Sequence, residues 1–205
     1  KYTDDHMPGH GLAVAFLRSP FAHAQLTHLD MSAACTSQGV HLTASQAEMD
    51  ADKVGEIHCQ QYVENRDGSQ IPRTTKPAMA RDIIRHAGDI VAMVVADTRQ
   101  QALDAIELID VDYAPMDAVC DVYDAVAQDA PQLYECYPNN TVFTWEAGTI
   151  DKARSAIDAA LTEGARLVEV DVINSRVMPN AMETRPMVAQ PFADIGGLRI
   201  WCGTQ

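Results

Sequence analysis

Seven consecutive residues, Ile90-Val91-Ala92-Met93-Val94-Val95-Ala96, carry no polar side chain and are rich in β-branched ones. A run this short and this apolar reads as a strand buried on both faces. Thr98-Arg99-Gln100-Gln101 follows, and a Thr-x-x-Gln pattern satisfies orphan backbone donors where a helix begins. Ala102, Leu103, Ile106 and Ile109 then share one helical face. Val111-Asp112-Tyr113 returns to extended chain, and Pro115 stops it. Residues 90–113 therefore predict strand, helix and strand, which commits the chain to α/β layering.

The elements on either side are shorter. Residues 11–17 read as a buried strand ended by Arg18-Ser19-Pro20, because a proline disfavours helical geometry in the residue before it. Residues 24–30 give a weaker strand, Ser32 to Ser37 a short helix closed by Gly39, and Val40 to Thr43 another strand. Residues 44–80 are polar and broken by Asp67-Gly68, Pro72 and Pro77, so mostly loop is expected. Residues 114–140 hold three prolines and a Pro138-Asn139-Asn140 turn, which reads as a linker between domains. Thr149 is placed to cap a helix bearing Ile150, Ala153, Ile157, Ala160 and Leu161 on one face, ended by Gly164. Val168, Val170 and Val172 alternate with Glu169 and Asp171, the period of a half-exposed strand. Strands at 187–193 and 198–202 flank Asp194-Ile195-Gly196-Gly197, a hairpin turn.

Composition narrows function mainly by exclusion. The 205 residues suffice for one large domain or two small ones, and a net charge of −14 opposes both nucleic acid and anionic membrane surfaces. That charge reads as a solvated surface. No apolar run approaches the ~18 residues of a membrane span, and the N-terminus carries no signal-peptide core. Cys35, Cys59, Cys120, Cys136 and Cys202 are scattered and odd in number, with no Cys-x-x-Cys. They argue against a disulfide scaffold, a zinc ribbon or an iron–sulfur cluster held by this chain, and favour a cytoplasmic setting.

First-principles chemistry is sparse. His6 and His10 have helical spacing, but Pro8 and Gly9 lie between them, so a polar turn is the better reading than a metal site. Asp110 and Asp112 share a strand face, as paired acid–base carboxylates do, but in an acidic chain they read as solvated. No phosphate-binding glycine loop and no Gly-x-Ser-x-Gly nucleophile elbow occurs.

An ordered set of short motifs carries more. It comprises Tyr2-Thr3-Asp4-Asp5, Arg18-Ser19-Pro20-Phe21-Ala22-His23-Ala24, Gly88 to Ala96, and Val111-Asp112-Tyr113-Ala114-Pro115. Asn140, Trp145 and Gly148 follow, then Pro179, Met182, Glu183 and Arg185, and finally Gly203-Thr204-Gln205. In this order the motifs resemble the opening of the large, molybdenum-binding subunit of the xanthine oxidase / aldehyde oxidase family, in the pattern of its bacterial carbon monoxide dehydrogenase-like members. The resemblance implies an α/β hammerhead domain over residues 1–118, a linker over 119–140, and the incomplete start of a molybdopterin-binding α+β domain over 141–205.

It also implies a molybdenum hydroxylase that oxidises an aldehyde, N-heterocycle or related small molecule with water as the oxygen source. The cofactor would be molybdopterin cytosine dinucleotide, with 2Fe-2S and FAD on partner chains. Gln205 matches an active-site glutamine whose amide hydrogen-bonds an oxo ligand of molybdenum, which makes it both the catalytic and the cofactor-binding candidate. No residue of this chain is assigned as a metal ligand. The family's glycine-rich pterin loop and its catalytic glutamate lie beyond Gln205, so this chain is expected to be a fragment or one half of a split subunit. It would need the remainder of that subunit, or a second chain, beside its iron–sulfur and flavin subunits. The rival reading is a non-catalytic assembly or binding module that keeps the hammerhead fold. The substrate itself is left open.

Overall fold

The structure is a computed structural model that describes residues 2–60, 63–175, 177, 180–182, 184–192, 194 and 196–203. The chain forms two compact units, one of residues 12–146 and one that joins residues 1–11 to residues 147–205.

In the 12–146 unit the elements run β1 (Ala13–Arg18), β2 (Ala24–Asp30), α1 (Ser32–Cys35), β3 (Val40–Ser45) and α2 (Gln46–Ala51). They continue with β4 (Ile57–His58), β5 (Thr75–Lys76), β6 (Ile83–Ile84), β7 (Ile90–Ala96), α3 (Arg99–Ile106), β8 (Asp110–Pro115) and α4 (Val122–Ala125). One sheet has the order β1-β7-β3, a second β6-β2-β8, and β4 pairs with β5. All these pairings are antiparallel. The expected α/β layering is present, but β7 and β8 join different sheets, so the strand–helix–strand stretch is not a parallel crossover.

Two apolar clusters explain this division. Ala15, Ala92, Val94 and Ala96 of the first sheet meet Ala34 of α1 and Ala102, Ala105 and Ile106 of α3. The alanines let the helix approach the sheet closely. The second cluster gathers Ala24, Ile84, Ala80 and Val91, with Phe21, Leu26, Val111 and Tyr113 packed around it. Ala92, Val94 and Ala96 of β7 feed the first cluster and Val91 the second.

Caps set the helix starts. Thr98 Oγ1 accepts from the Gln101 backbone N–H at 3.2 Å, as the Thr-x-x-Gln spacing predicts. The stretch expected to be mostly loop contains α2, started by a capping box that the polar composition hid. Ser45 Oγ accepts from Ala47 N at 3.2 Å, and Glu48 Oε2 accepts from Ser45 N at 2.7 Å. The residues expected to link two domains are fastened to the 12–146 unit. Tyr137 is buried and its hydroxyl donates to Pro72 O at 2.6 Å.

The other unit has a 3-10 turn (Thr3–His6), α5 (Ile150–Thr162) and an antiparallel hairpin of β9 (Met187–Phe192) and β10 (Gly197–Cys202). Gly164, at φ +94°, ends the α5 region as expected. Thr149 makes no side-chain capping bond. Residues 165–175 carry no regular structure, against the strand expected from the Val168–Val172 alternation. Those valines are 75–78% exposed, and among the described residues no strand pairs with them.

Candidate functional site

The motif residues fall into two groups. In the 12–146 unit they build structure. Ser19 N donates to Asp89 O at 2.9 Å and Gly88 N to Ser19 O at 2.8 Å, which ties the Arg-Ser-Pro stretch to the loop before β7. Arg18 Nη1 donates to Gly88 O at 2.8 Å. His23 is buried, and its Nδ1 donates to Asp117 O at 2.7 Å, fixing the tautomer because a carbonyl only accepts. Tyr113 packs on Phe21 with ring centroids 5.3 Å apart. Burial pushes the Tyr113 phenol up, partly offset by the nearby Ser19 hydroxyl. Its Oη makes no hydrogen bond of ordinary geometry among the described residues. Asn140 stands at φ +53° and spends its whole side-chain amide on the backbone, donating to Ala125 O and Pro131 O and accepting from Leu133 N.

The second group includes the first and the last motif. The first motif and the last strand share one unit, and His6 stacks on Trp201 with centroids 5.5 Å apart and planes 12° apart. Arg199, two residues before Trp201, lies over Phe192 of β9, 4.3 Å from the ring centroid. These contacts hold β10 against the 3-10 turn and against β9. Gln205, Thr204, Pro179 and Glu183 lie outside the described residues. Met182 is 96% exposed. Trp145, in the other unit, is exposed as well.

Among the described residues no group of three or more His, Cys, Asp or Glu side chains converges as metal ligands would. His6 is spent on Trp201, and Asp110 lies exposed 3.7 Å from His28. The five cysteines are exposed and, among the described residues, none is in a disulfide. No helix of the described residues is long and apolar enough to cross a membrane.

One polar network escaped the sequence reading. Arg81 is gripped by Asp50 and Glu56, its Nη2 lying 2.9 Å from Glu56 Oε1. Hydrogen bonds from Thr75 first, then Arg81, hold the Glu56 carboxyl below the usual carboxylate range. The network edges a cleft of about 350 Å³ lined by Leu26, His28, Gln46, Asp50 and Asp82. Two carboxylates already engage Arg81, so it anchors the loop between β5 and β6 rather than offering a free anion site. Its partners lie 25 and 31 residues away in sequence, a distance at which no local pattern signals a contact.

Residues 1–117 match the family model described as the aldehyde oxidase and xanthine dehydrogenase a/b hammerhead domain. The chain belongs to that family. It is 31% identical over its whole length to the nicotine 6-hydroxylase large subunit of Paenarthrobacter nicotinovorans, covering 24% of that protein. Its fold matches quinoline 2-oxidoreductase from Pseudomonas putida 86 with a TM-score of 0.79 at 29% identity, over 100% of this chain and 24% of that one. It also matches a Cu,Mo-CO dehydrogenase with a TM-score of 0.74 at 25% identity, over 98% of this chain and 25% of the other. The chain thus spans about a quarter of the length of the relatives it matches.

Proposed function

We propose that these residues are the hammerhead-bearing part of the large subunit of a molybdenum hydroxylase. The observation that carries this is the end-to-end match to a hydroxylase large subunit, with 100% of the chain aligned. The substrate class we favour is an N-heterocycle, since two proteins similar along the whole chain are named for nicotine and quinoline. In domain terms the hammerhead spans residues 1–118, the linker 119–140, and the opening of the molybdopterin-binding domain 141–205. The compact units divide the chain differently, because residues 1–11 pack with residues 147–205.

Physical support comes from the smaller unit. Ile150 and Ile157 on α5 are 50% and 46% exposed, and Met187, Leu198 and Ile200 on the hairpin are 66%, 67% and 51% exposed. A two-stranded hairpin with a bare apolar face is at best marginally stable by itself in water. The remainder of the subunit, or a second chain, supplies the missing layer, together with the glycine-rich pterin loop and the general base.

The molybdenum cofactor, in its molybdopterin cytosine dinucleotide form, supplies the redox chemistry when bound. This chain contributes the Gln205 amide as an uncharged donor. 2Fe-2S and FAD centres on partner chains would take up the electrons, in the cytoplasm. Native mass of the complex combined with metal analysis tests the reading. Near-stoichiometric molybdenum in a large hetero-oligomer that hydroxylates an N-heterocycle is expected. A native complex devoid of molybdenum would overturn it.

A further inference from the structure

The first sheet is built with its polarity inverted. In an antiparallel sheet with one covered face, the other face is normally polar. Here the face against α3 carries mostly small residues, Ala15, Ala92 and Ala96 among them. The opposite face carries the larger apolar ones. Register places Val14, Val95 and Leu42 in one row across β1, β7 and β3, and Phe16, Met93 and Ala44 in the next. Val14, Phe16 and Leu42 are 48%, 44% and 47% exposed, while Met93 and Val95 are half-buried. Val14 and Phe16 stand on β1 and Leu42 on β3, so the row through Val95 is apolar from edge to edge, while the next row ends at Ala44, which is 2% exposed and already covered. Such an apolar row is unusual on a free surface.

We propose that this face is a docking surface for an apolar segment of the same large-subunit polypeptide lying outside residues 1–205. The proposal rests on the reading of this chain as part of a longer subunit. Length favours this occupant: single-chain relatives carry roughly three-quarters of their residues outside the match, since the chain covers 24% of them. Size favours it too. A handful of side chains falls far below the ~20–30 residues a side of a free-standing protein interface. A segment of the same polypeptide arrives at an effective concentration of roughly millimolar, so a small patch suffices to hold it. The net charge of −14 opposes an anionic lipid surface.

The test uses the complete native enzyme with photoreactive benzoylphenylalanine in place of Val14. The expected product is an intramolecular cross-link to a large-subunit peptide outside residues 1–205. A cross-link to a second copy, or to another subunit, overturns the proposal. Hydroxyl-radical footprinting of the unsubstituted enzyme covers the case in which the bulky label prevents folding. Oxidation of Phe16 and Met93 should fall to about a tenth of the rate in the urea-unfolded subunit, as for groups released only by opening of the fold. Near-unfolded rates at both residues overturn the proposal. Molybdenum content of the same preparation is independent of both readouts, so a metal-free enzyme with a covered sheet face would sink the functional reading alone.

Discussion

Gly39 lies so close to Gln101 that a β-carbon on the glycine would stand 2.3 Å from the Gln101 side-chain nitrogen. Two features make the approach necessary. Gly39 has φ +80°, and its carbonyl accepts from Asp97 N at 2.9 Å, joining the turn before β3 to the end of β7. Swinging Gln101 away would give up the hydrogen bond that its Oε1 accepts from Thr98 Oγ1 at 2.8 Å. The helix start and the turn are thus one packed unit.

Gly39→Ala should therefore destabilise the 12–146 unit by about 1–2 kcal/mol from the left-handed backbone alone, and by more from the crowding. Adding Gln101→Ala should recover only the crowding part. Amide exchange along β7 in urea measures both. A Gly39→Ala protein with unchanged β7 protection would show that this contact does not hold the sheet.

Gln46 makes a second test of long-range packing. It is 3% exposed, its Oε1 accepts from Met79 N at 2.9 Å and its Nε2 donates to Asp50 Oδ1 at 2.9 Å. Gln46→Leu keeps the volume but orphans a buried backbone N–H, at a cost of about 1–3 kcal/mol. Gln46→Glu keeps the acceptor for Met79 but sets a charge beside Asp50, so it too should lose stability, more at neutral pH than in acid. A leucine variant as stable as the parent in urea melts would remove this residue from the account.

The regular elements were legible where the signal is local. The run at 90–96, the Thr98 cap and the hairpin at 187–202 follow from period, cap chemistry and turn residues. Failures have physical causes. The helix at Gln46–Ala51 was hidden because Ser45-x-x-Glu48 sits in a polar stretch with few apolar residues to show a period. The split of β7 and β8 between sheets depends on which partners reach them, and no local pattern encodes partner choice. The Val168–Val172 alternation is a strand pattern that finds no partner strand among the described residues. The motif set carried the family, and the stacking of His6 on Trp201, which joins the chain's two ends, had no sequence signal at all.

Acid should weaken the 12–146 unit in a definable window. Glu48 is held below the usual carboxylate range by hydrogen bonds from Ser45, Asp67 by Ser69, Asp30 by Ser32, and Glu56 by Thr75 and Arg81. Groups depressed in the folded state bind fewer protons there than in the unfolded chain. Their contribution is complete above the unfolded value of about 4 and is lost as pH falls through the lower folded values. Urea midpoints should be flat from pH 7 to 5 and fall below pH 4. Ser45→Ala removes the α2 cap at a cost of about 1 kcal/mol near neutrality, and the loss should shrink in acid as Glu48 protonates in both proteins. A cost independent of pH would mean that Glu48 takes no part in the cap.

Gln205 concentrates the functional proposal. The strand leading toward it is held by the His6–Trp201 stack and by Arg199 over Phe192. If its amide donates to the cofactor's oxo group, a crystal structure of the assembled enzyme should place the side-chain nitrogen about 2.7–3.2 Å from that oxygen. Gln205→Ala should leave assembly and molybdenum content intact, because an amide that does not ligate the metal is not needed to retain it. Turnover should fall by roughly ten- to a thousandfold, the range for losing one preorganised donor. Gln205→Glu should be worse, since an ionised carboxylate cannot donate and repels an electron-rich oxygen. Trp201→Ala, which removes the stack but no donor, should lower turnover less than Gln205→Ala and make it more sensitive to temperature. Metal-replete Gln205 variants with unchanged turnover would take this residue out of the site. The chain would then contribute scaffold alone, and the reacting groups would all belong to the rest of the subunit.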